Sequence, residues 1–228
     1  MNKKHLLLAA ALLAASFAKA QVNVDINSIF NVTDQPVELN EPKAKIADGV
    51  VFIGDTRPAE KIEEGKYRGM RVQKLGRTYS VDGKAVRLNN ALSFRRAPWG
   101  ATKDHAVVLT AVPRSCMMQL KPTSDGKFTF EVFTKKPEAK LYVGILNGTS
   151  WKNLGELTYK LEDKKGTKAE PLTPMTLDYK YTAGDEIWIY GEGATSLLGL
   201  QFTGTIDKSF QGTEPVAASK AVSRANKK

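Results

Sequence analysis

Beyond residue 20 the chain carries one histidine, His105, and one cysteine, Cys116, so the usual catalytic base and nucleophile types are scarce. In "ATKDHAVV" His105 directly follows Asp104, and neighbours on a strand point to opposite sides. No G-x-S-x-G elbow presents a serine to that imidazole, and "PRSCM" offers Ser115 and Cys116 without a recognisable nucleophile signature. Alternation in "SCMMQL" groups Cys116 with Met118 and Leu120, which reads as a small core hydrophobe. Carboxylates cluster as Glu60, Glu63 and Glu64 and as Asp185 with Glu186. Glycoside hydrolysis needs two carboxyls roughly 5 to 10 Å apart across a cleft, and the lysine-rich setting of Glu63 and Glu64 reads as a solvated face instead. Asp82 and Asp125 each precede a glycine and read as turn residues. No D-x-D-x-D-G loop for calcium and no His/Cys cluster for zinc is present. The expectation is a chain with no catalytic residue, no metal and no cofactor.

The aromatic residues offer a different chemistry. Trp99 lies in "RRAPWGATK" with Arg95 and Arg96 beside it, and Trp151 follows the turn "NGTS". Trp188 and Tyr190 share one face of "EIWIY", opposite Ile187 and Ile189, with Tyr142 and Tyr159 on other strands. Flat rings fixed on a sheet can stack on the apolar faces of sugar rings while nearby polar side chains bond the hydroxyls. A rigid platform of this kind loses little entropy on binding. The same rings also fit ordinary core positions of a sandwich. The expected ligand-binding set is Trp99, Trp151, Trp188, Tyr190, Arg95 and Arg96. Its partner would be a glycan or acidic polysaccharide, which makes the chain a secreted, non-enzymatic binding protein. The alternative is a structural or adhesive cell-surface protein with a protein–protein interface, and a small hydrolase ranks third.

The elements that must position these residues follow from patterning. "MNKKHLLLAAALLAASFAKAQ" has a Lys3-Lys4 start, an apolar run and an Ala18-Lys19-Ala20 site, the form of a signal peptide. Its apolar run of about 12 residues is too short to span a bilayer, and no later stretch approaches that length. No transmembrane segment is expected, and the address is periplasm, outer-membrane surface or extracellular. The net charge of +10 is spread along the chain. Such a balance suits an acidic surface and lacks the dense basic patch of a nucleic-acid partner.

The expected division is 1–20 signal peptide, 21–60 N-terminal arm with a first strand, 61–210 β-sandwich domain and 211–228 basic flexible tail. "GVVFIG" is the first clear strand. From Met70 short β-rich runs recur, among them "MRVQKL", "TYSV", "KAVRL", "LSFR", "AVVLT", "KFTFEVFT", "KLYVGIL", "TLDYKYT", "EIWIY" and "LLGLQFTG". Asp82-Gly83, Asp125-Gly126 and Asn147-Gly148 supply residues suited to tight hairpin turns. In "KFTFEVFT", Phe128, Phe130 and Val132 alternate with Thr129, Glu131 and Phe133. About ten to twelve such strands with no long helical pattern predict an all-β sandwich of jelly-roll type. Ile187 and Ile189 should face between the sheets. Trp188 and Tyr190 should cover the outer face, either under the N-terminal arm or open to a partner.

The succession "RTYSVDGKAVRLNNALSFRR", "KFTFEVFT", "AKLYVGILNG" and "AGDEIWIYGEGATSLLGLQFTG" resembles the jelly-roll modules of secreted Bacteroidota proteins. Several of those accompany polysaccharide-degrading enzymes. The resemblance covers about Gly69 to Gly204 and implies a β-sandwich with a carbohydrate-related role. No catalytic domain is expected beside it, a departure from that pattern.

Overall fold

A computed structural model describes residues 22–29, 37–38, 43–53, 71–81, 84–94, 117–134, 138–160, 170–171, 174–191 and 195–213. The early strands are β1 (Val22–Asp25), β2 (Val37–Glu38), β3 (Lys43–Ala47), β4 (Val50–Ile53), β5 (Arg71–Val81) and β6 (Lys84–Ser93). The later ones are β7 (Met117–Leu120), β8 (Gly126–Thr134), β9 (Glu138–Asn147), β10 (Ser150–Lys160), β11 (Glu170–Pro171), β12 (Met175–Tyr179), β13 (Asp185–Gly191) and β14 (Thr195–Phe202). Among the described residues a single helical turn, α1 (Ile26–Ile29), interrupts this all-β pattern.

The strands form two sheets. The eight-stranded sheet runs β11-β5-β6-β14-β8-β12, with β1 also on β14 and β2 on β5; the six-stranded sheet runs β10-β9-β13-β7-β4-β3. Between β6 and β14 the order has a simple logic. Strand β6 pairs with β14, β7 with β13, β8 with β12 and β9 with β10, all antiparallel. Successive pairs alternate between the two sheets. A long antiparallel ribbon rolled up in this way is a jelly roll.

Period-two patterning decides which face each residue takes. Phe128, Phe130 and Val132 of β8 are buried between the sheets with Leu141, Val143 and Ile145 of β9 and Ile187 and Ile189 of β13. Each such side chain stabilises the fold by roughly 1.5–3 kcal/mol. Phe128 stacks on Phe202 with ring centres 4.4 Å apart. At one end of the core Asp185 is buried yet satisfied. Tyr179 Oη donates to its Oδ2 at 3.0 Å and Asn147 Nδ2 to its Oδ1 at 2.8 Å. An unpaired buried carboxylate would be costly, so these two donors make the position tenable.

Several local expectations are corrected. "MRVQKL" and "TYSV" are one strand, β5, and "KAVRL" joins the first residues of "LSFR" as β6, with a register shift between Lys74 and Arg77. Asp125-Gly126 is no hairpin turn but the crossing between sheets from β7 to β8. Glycine is needed at 126 because the Phe202 ring would lie 2.3 Å from a Cβ there. Asn147-Gly148 does close the β9–β10 hairpin, with Gly148 at φ 59°. The described strands before residue 54 are woven into the sandwich: β1 extends the eight-stranded sheet and the β3–β4 hairpin extends the other.

Candidate functional site

Burying Ile187 and Ile189 inside sends Glu186, Trp188 and Tyr190 to the outer face of the six-stranded sheet. Antiparallel register then fixes their neighbours. Tyr190 lies opposite Tyr142, and Trp188 lies between Gly144 on β9 and Gln119 on β7. Gln119 in turn lies opposite Val51 on β4. Trp151 starts from the adjacent strand β10, opposite Leu146, and its indole lies over Gly144. A Cβ at residue 144 would sit 2.1 Å from Trp151 Cη2, so only glycine leaves room for the ring.

The rings form a continuous aromatic layer. Trp151 meets Trp188 edge-on at 5.6 Å and Tyr190 at 6.3 Å, and Tyr142 stacks on Tyr190 at 5.4 Å. Val51, Ile53, Met117, Tyr142, Trp188 and Tyr190 are buried in this layer, with Leu146, Trp151 and Phe210 partly buried against it. This is a second hydrophobic core outside the sandwich. Trp188 is 1 % exposed and Tyr190 fully buried, so neither ring is open to a partner.

Part of the cover comes from the chain beyond β14. Asp207 N donates to Lys121 O at 2.8 Å, and a turn held by Phe210 N to Asp207 O at 3.2 Å carries Phe210 onto the outer layer. Gly212, at φ 77°, then passes over Ile53 and Val51. Thr213 is gripped by the Gln119 amide: Gln119 Nε2 donates to its carbonyl at 2.8 Å, and its N–H donates to Gln119 Oε1 at 2.7 Å. Lys43 Nζ adds a bond to Gly212 O at 3.3 Å. Residues 211–213, assigned to the flexible tail by sequence, are therefore a strap on the sheet.

The electrostatics of the layer are sparse. Trp188 Nε1 donates to Glu186 Oε2 at 3.4 Å, which ties the buried indole to a half-buried carboxylate at the rim. Tyr190 Oη is buried with no hydrogen-bond partner among the described residues, and burial pushes its phenol upward. Beside the layer, Lys140 and Glu156 form an ion pair at 2.8 Å. Among the described residues no group of three His, Cys, Asp or Glu side chains stands ready for a metal.

Of the six residues singled out by sequence, Trp151, Trp188 and Tyr190 are brought together, while Trp99, Arg95 and Arg96 lie outside the described residues, as do His105 and Cys116. Within the trio only Trp151 is not fully buried; it is half-buried. Sequence reasoning missed Gly144, Gln119 and Phe210, and it named Glu186 only as half of a carboxylate pair with Asp185. A lone glycine within the strand run "KLYVGIL" signals a close approach, and a lone glutamine in "CMMQL" signals a polar task on an apolar face.

No family model matches the chain, and no curated protein matches it. Solved structures with a similar outline include the K2 cleaved adhesin domain of Lys-gingipain, 11% identical, covering 76% of this chain and 97% of that chain at a TM-score of 0.34. Another is the CBM22-1 xylan-binding domain from Paenibacillus barcinonensis Xyn10C, 12% identical, covering 70% and 96%, at 0.32. A CBM4 module is 13% identical, covering 80% and 97%, at 0.32. Likenesses this distant carry nothing about a ligand, and the sandwich itself rests on the strand pairing above. No helix among the described residues is long and apolar enough to cross a membrane.

Proposed function

We propose that the chain is an exported, non-enzymatic glycan-binding module whose contact aromatic is Trp151. The observation that carries this is the half-buried Trp151 indole fixed over Gly144 and braced by Trp188 and Tyr190. A ring held in advance on a rigid sheet needs no ordering when a sugar stacks on it. Glu186 stands at the same rim to accept hydrogen bonds from sugar hydroxyls. In this reading Trp188 and Tyr190 support the site without touching the ligand, and Trp99, Arg95 and Arg96 remain candidate contacts.

A structural or adhesive role is the second reading, favoured by the partly buried apolar trio Leu146, Trp151 and Phe210 on one face. A glycan array probed with the chain from Gln21 onward separates the two. Binding that Trp151→Ala weakens by tenfold or more, in a variant still folded at the assay temperature, supports the glycan module. An array without a hit, together with concentration-dependent self-association, supports the adhesive reading and removes the first.

A further inference from the structure

Glu131 lies on the outer face of the eight-stranded sheet, alternating with the core residues Phe130 and Val132. An outward carboxylate on a sheet ordinarily stands in water, yet this one is 7% exposed. Register explains why. Glu131 of β8, Gly199 of β14 and Asp25 of β1 lie on one line across three strands. Gly199 has no side chain, and the Glu131 carboxyl occupies the space above it. A Cβ at 199 would be 3.0 Å from Glu131 Oε2 and 3.6 Å from the Val24 carbonyl oxygen. The carboxyl is thus laid across β14 against β1.

The strand it meets is a small unit. β1 is four residues long and among the described residues pairs with β14 alone, burying Val22 and Val24 on the inner side. Short edge elements of this kind open before the core does. Around the carboxyl, β14 presents Gly199 and Gln201, β8 presents Thr129, and β1 presents Asn23 and Asp25. Lys127 of β8 and Asp178 of β12 stand farther along and are exposed. Asp25 is therefore the charged group that acts on it among the described residues.

Burial, and secondarily the Asp25 charge, push the Glu131 carboxyl from 4.5 up to about 7. Lifting β1 would return it to water and to the ordinary carboxylate range. The docked form thus holds a proton that the open form has released. Docking is strongest below the ordinary carboxyl range, weakens as pH rises toward 7 and levels off above it.

We propose that β1 is a proton-gated clasp, docked on β14 while Glu131 is neutral and released more readily once Glu131 is charged beside Asp25.

Amide hydrogen exchange of the chain from Gln21 onward, corrected for intrinsic rates between pH 5 and 8.5, tests it. The β1 amides should be less protected than those of β13 at every pH, and their protection should fall by up to about tenfold per pH unit below 7. Glu131→Gln should flatten that fall, and Asp25→Asn should make it shallower. Three results would each overturn the clasp. One is β1 protection independent of pH in the unmodified chain. Another is an unchanged slope in Glu131→Gln. The third is β1 exchanging only as fast as β13, which would mean that it opens only with the whole fold.

Discussion

The two sheets wear opposite outer coats. Outside the six-stranded sheet, Trp188, Tyr190, Tyr142, Met117 and Ile53 make a second apolar layer partly covered by a strap. Outside the eight-stranded sheet, the space above Gly199 is filled by a carboxyl, and Thr129, Gln201 and Asn23 surround it. The apolar layer and the Glu131 carboxyl are both buried, by different means and with different consequences. Apolar burial adds stability that is insensitive to pH, whereas carboxyl burial makes stability depend on the proton. One face is suited to hold a ring rigidly, and the other to respond to its surroundings.

Removing the centre of the apolar coat should have the largest effect. Trp188→Ala should cost about 3–5 kcal/mol in denaturant unfolding, the range for a buried tryptophan. A loss below about 1 kcal/mol would mean the outer layer is a veneer and not a core. On the opposite face the stability of the unmodified chain should fall by at most about 3 kcal/mol between pH 5 and 8. The sign follows from Glu131, whose raised value of about 7 favours the folded form while the carboxyl is protonated. Glu131→Gln should erase that fall, and a matching pH slope in the variant would assign it elsewhere.

Smaller changes sharpen the contrast. Gly144→Ala would drive a methyl into the Trp151 ring, so the indole must move, at a cost of about 1–3 kcal/mol. Tryptophan emission should shift with it, and an unchanged spectrum would show that the ring is not seated there. Tyr190→Phe should be nearly neutral or stabilise by up to about 1 kcal/mol, since it deletes a buried hydroxyl without a partner among the described residues. A clear loss of stability in that variant would reveal a bond made by the hydroxyl. The apolar coat thus tolerates the loss of a polar atom, while the polar coat gains from the loss of a charge.

How much of this was legible in the sequence depends on the range of each interaction. Alternation groups Phe128 with Phe130 on one face of its strand and separates Ile187 and Ile189, expected inside, from Trp188 and Tyr190, expected outside, because side-chain direction along a strand is local; the structure bears these groupings out. The jelly-roll expectation likewise rests on many short runs, and the strand pairing bears it out. What covers the outer face was not legible. The Gln119–Thr213 clamp joins residues 94 positions apart and leaves no periodic trace. Asp125-Gly126 misled for the same reason: its glycine answers to the Phe202 ring, far along the chain, and not to a turn. Alternation separates Glu131 from Phe128 and Phe130 without saying which face is outward, and its burial depends on a glycine in β14 and on the docking of β1. Of the site, the aromatic types were readable. Their division into a half-buried ring, Trp151, and the buried Trp188 and Tyr190 was not.

The account of function turns on that division. Calorimetric titration of the best-bound glycan into the unmodified chain, Trp151→Ala and Trp188→Phe tests it most directly. The expected result is a loss of tenfold or more, about 1.4 kcal/mol, for Trp151→Ala in a variant that melts lower but is still folded at the titration temperature. Trp188→Phe should keep its affinity while melting lower. Equal affinity in Trp151→Ala, or a loss confined to Trp188→Phe, would contradict the assignment of Trp151 as the contact ring.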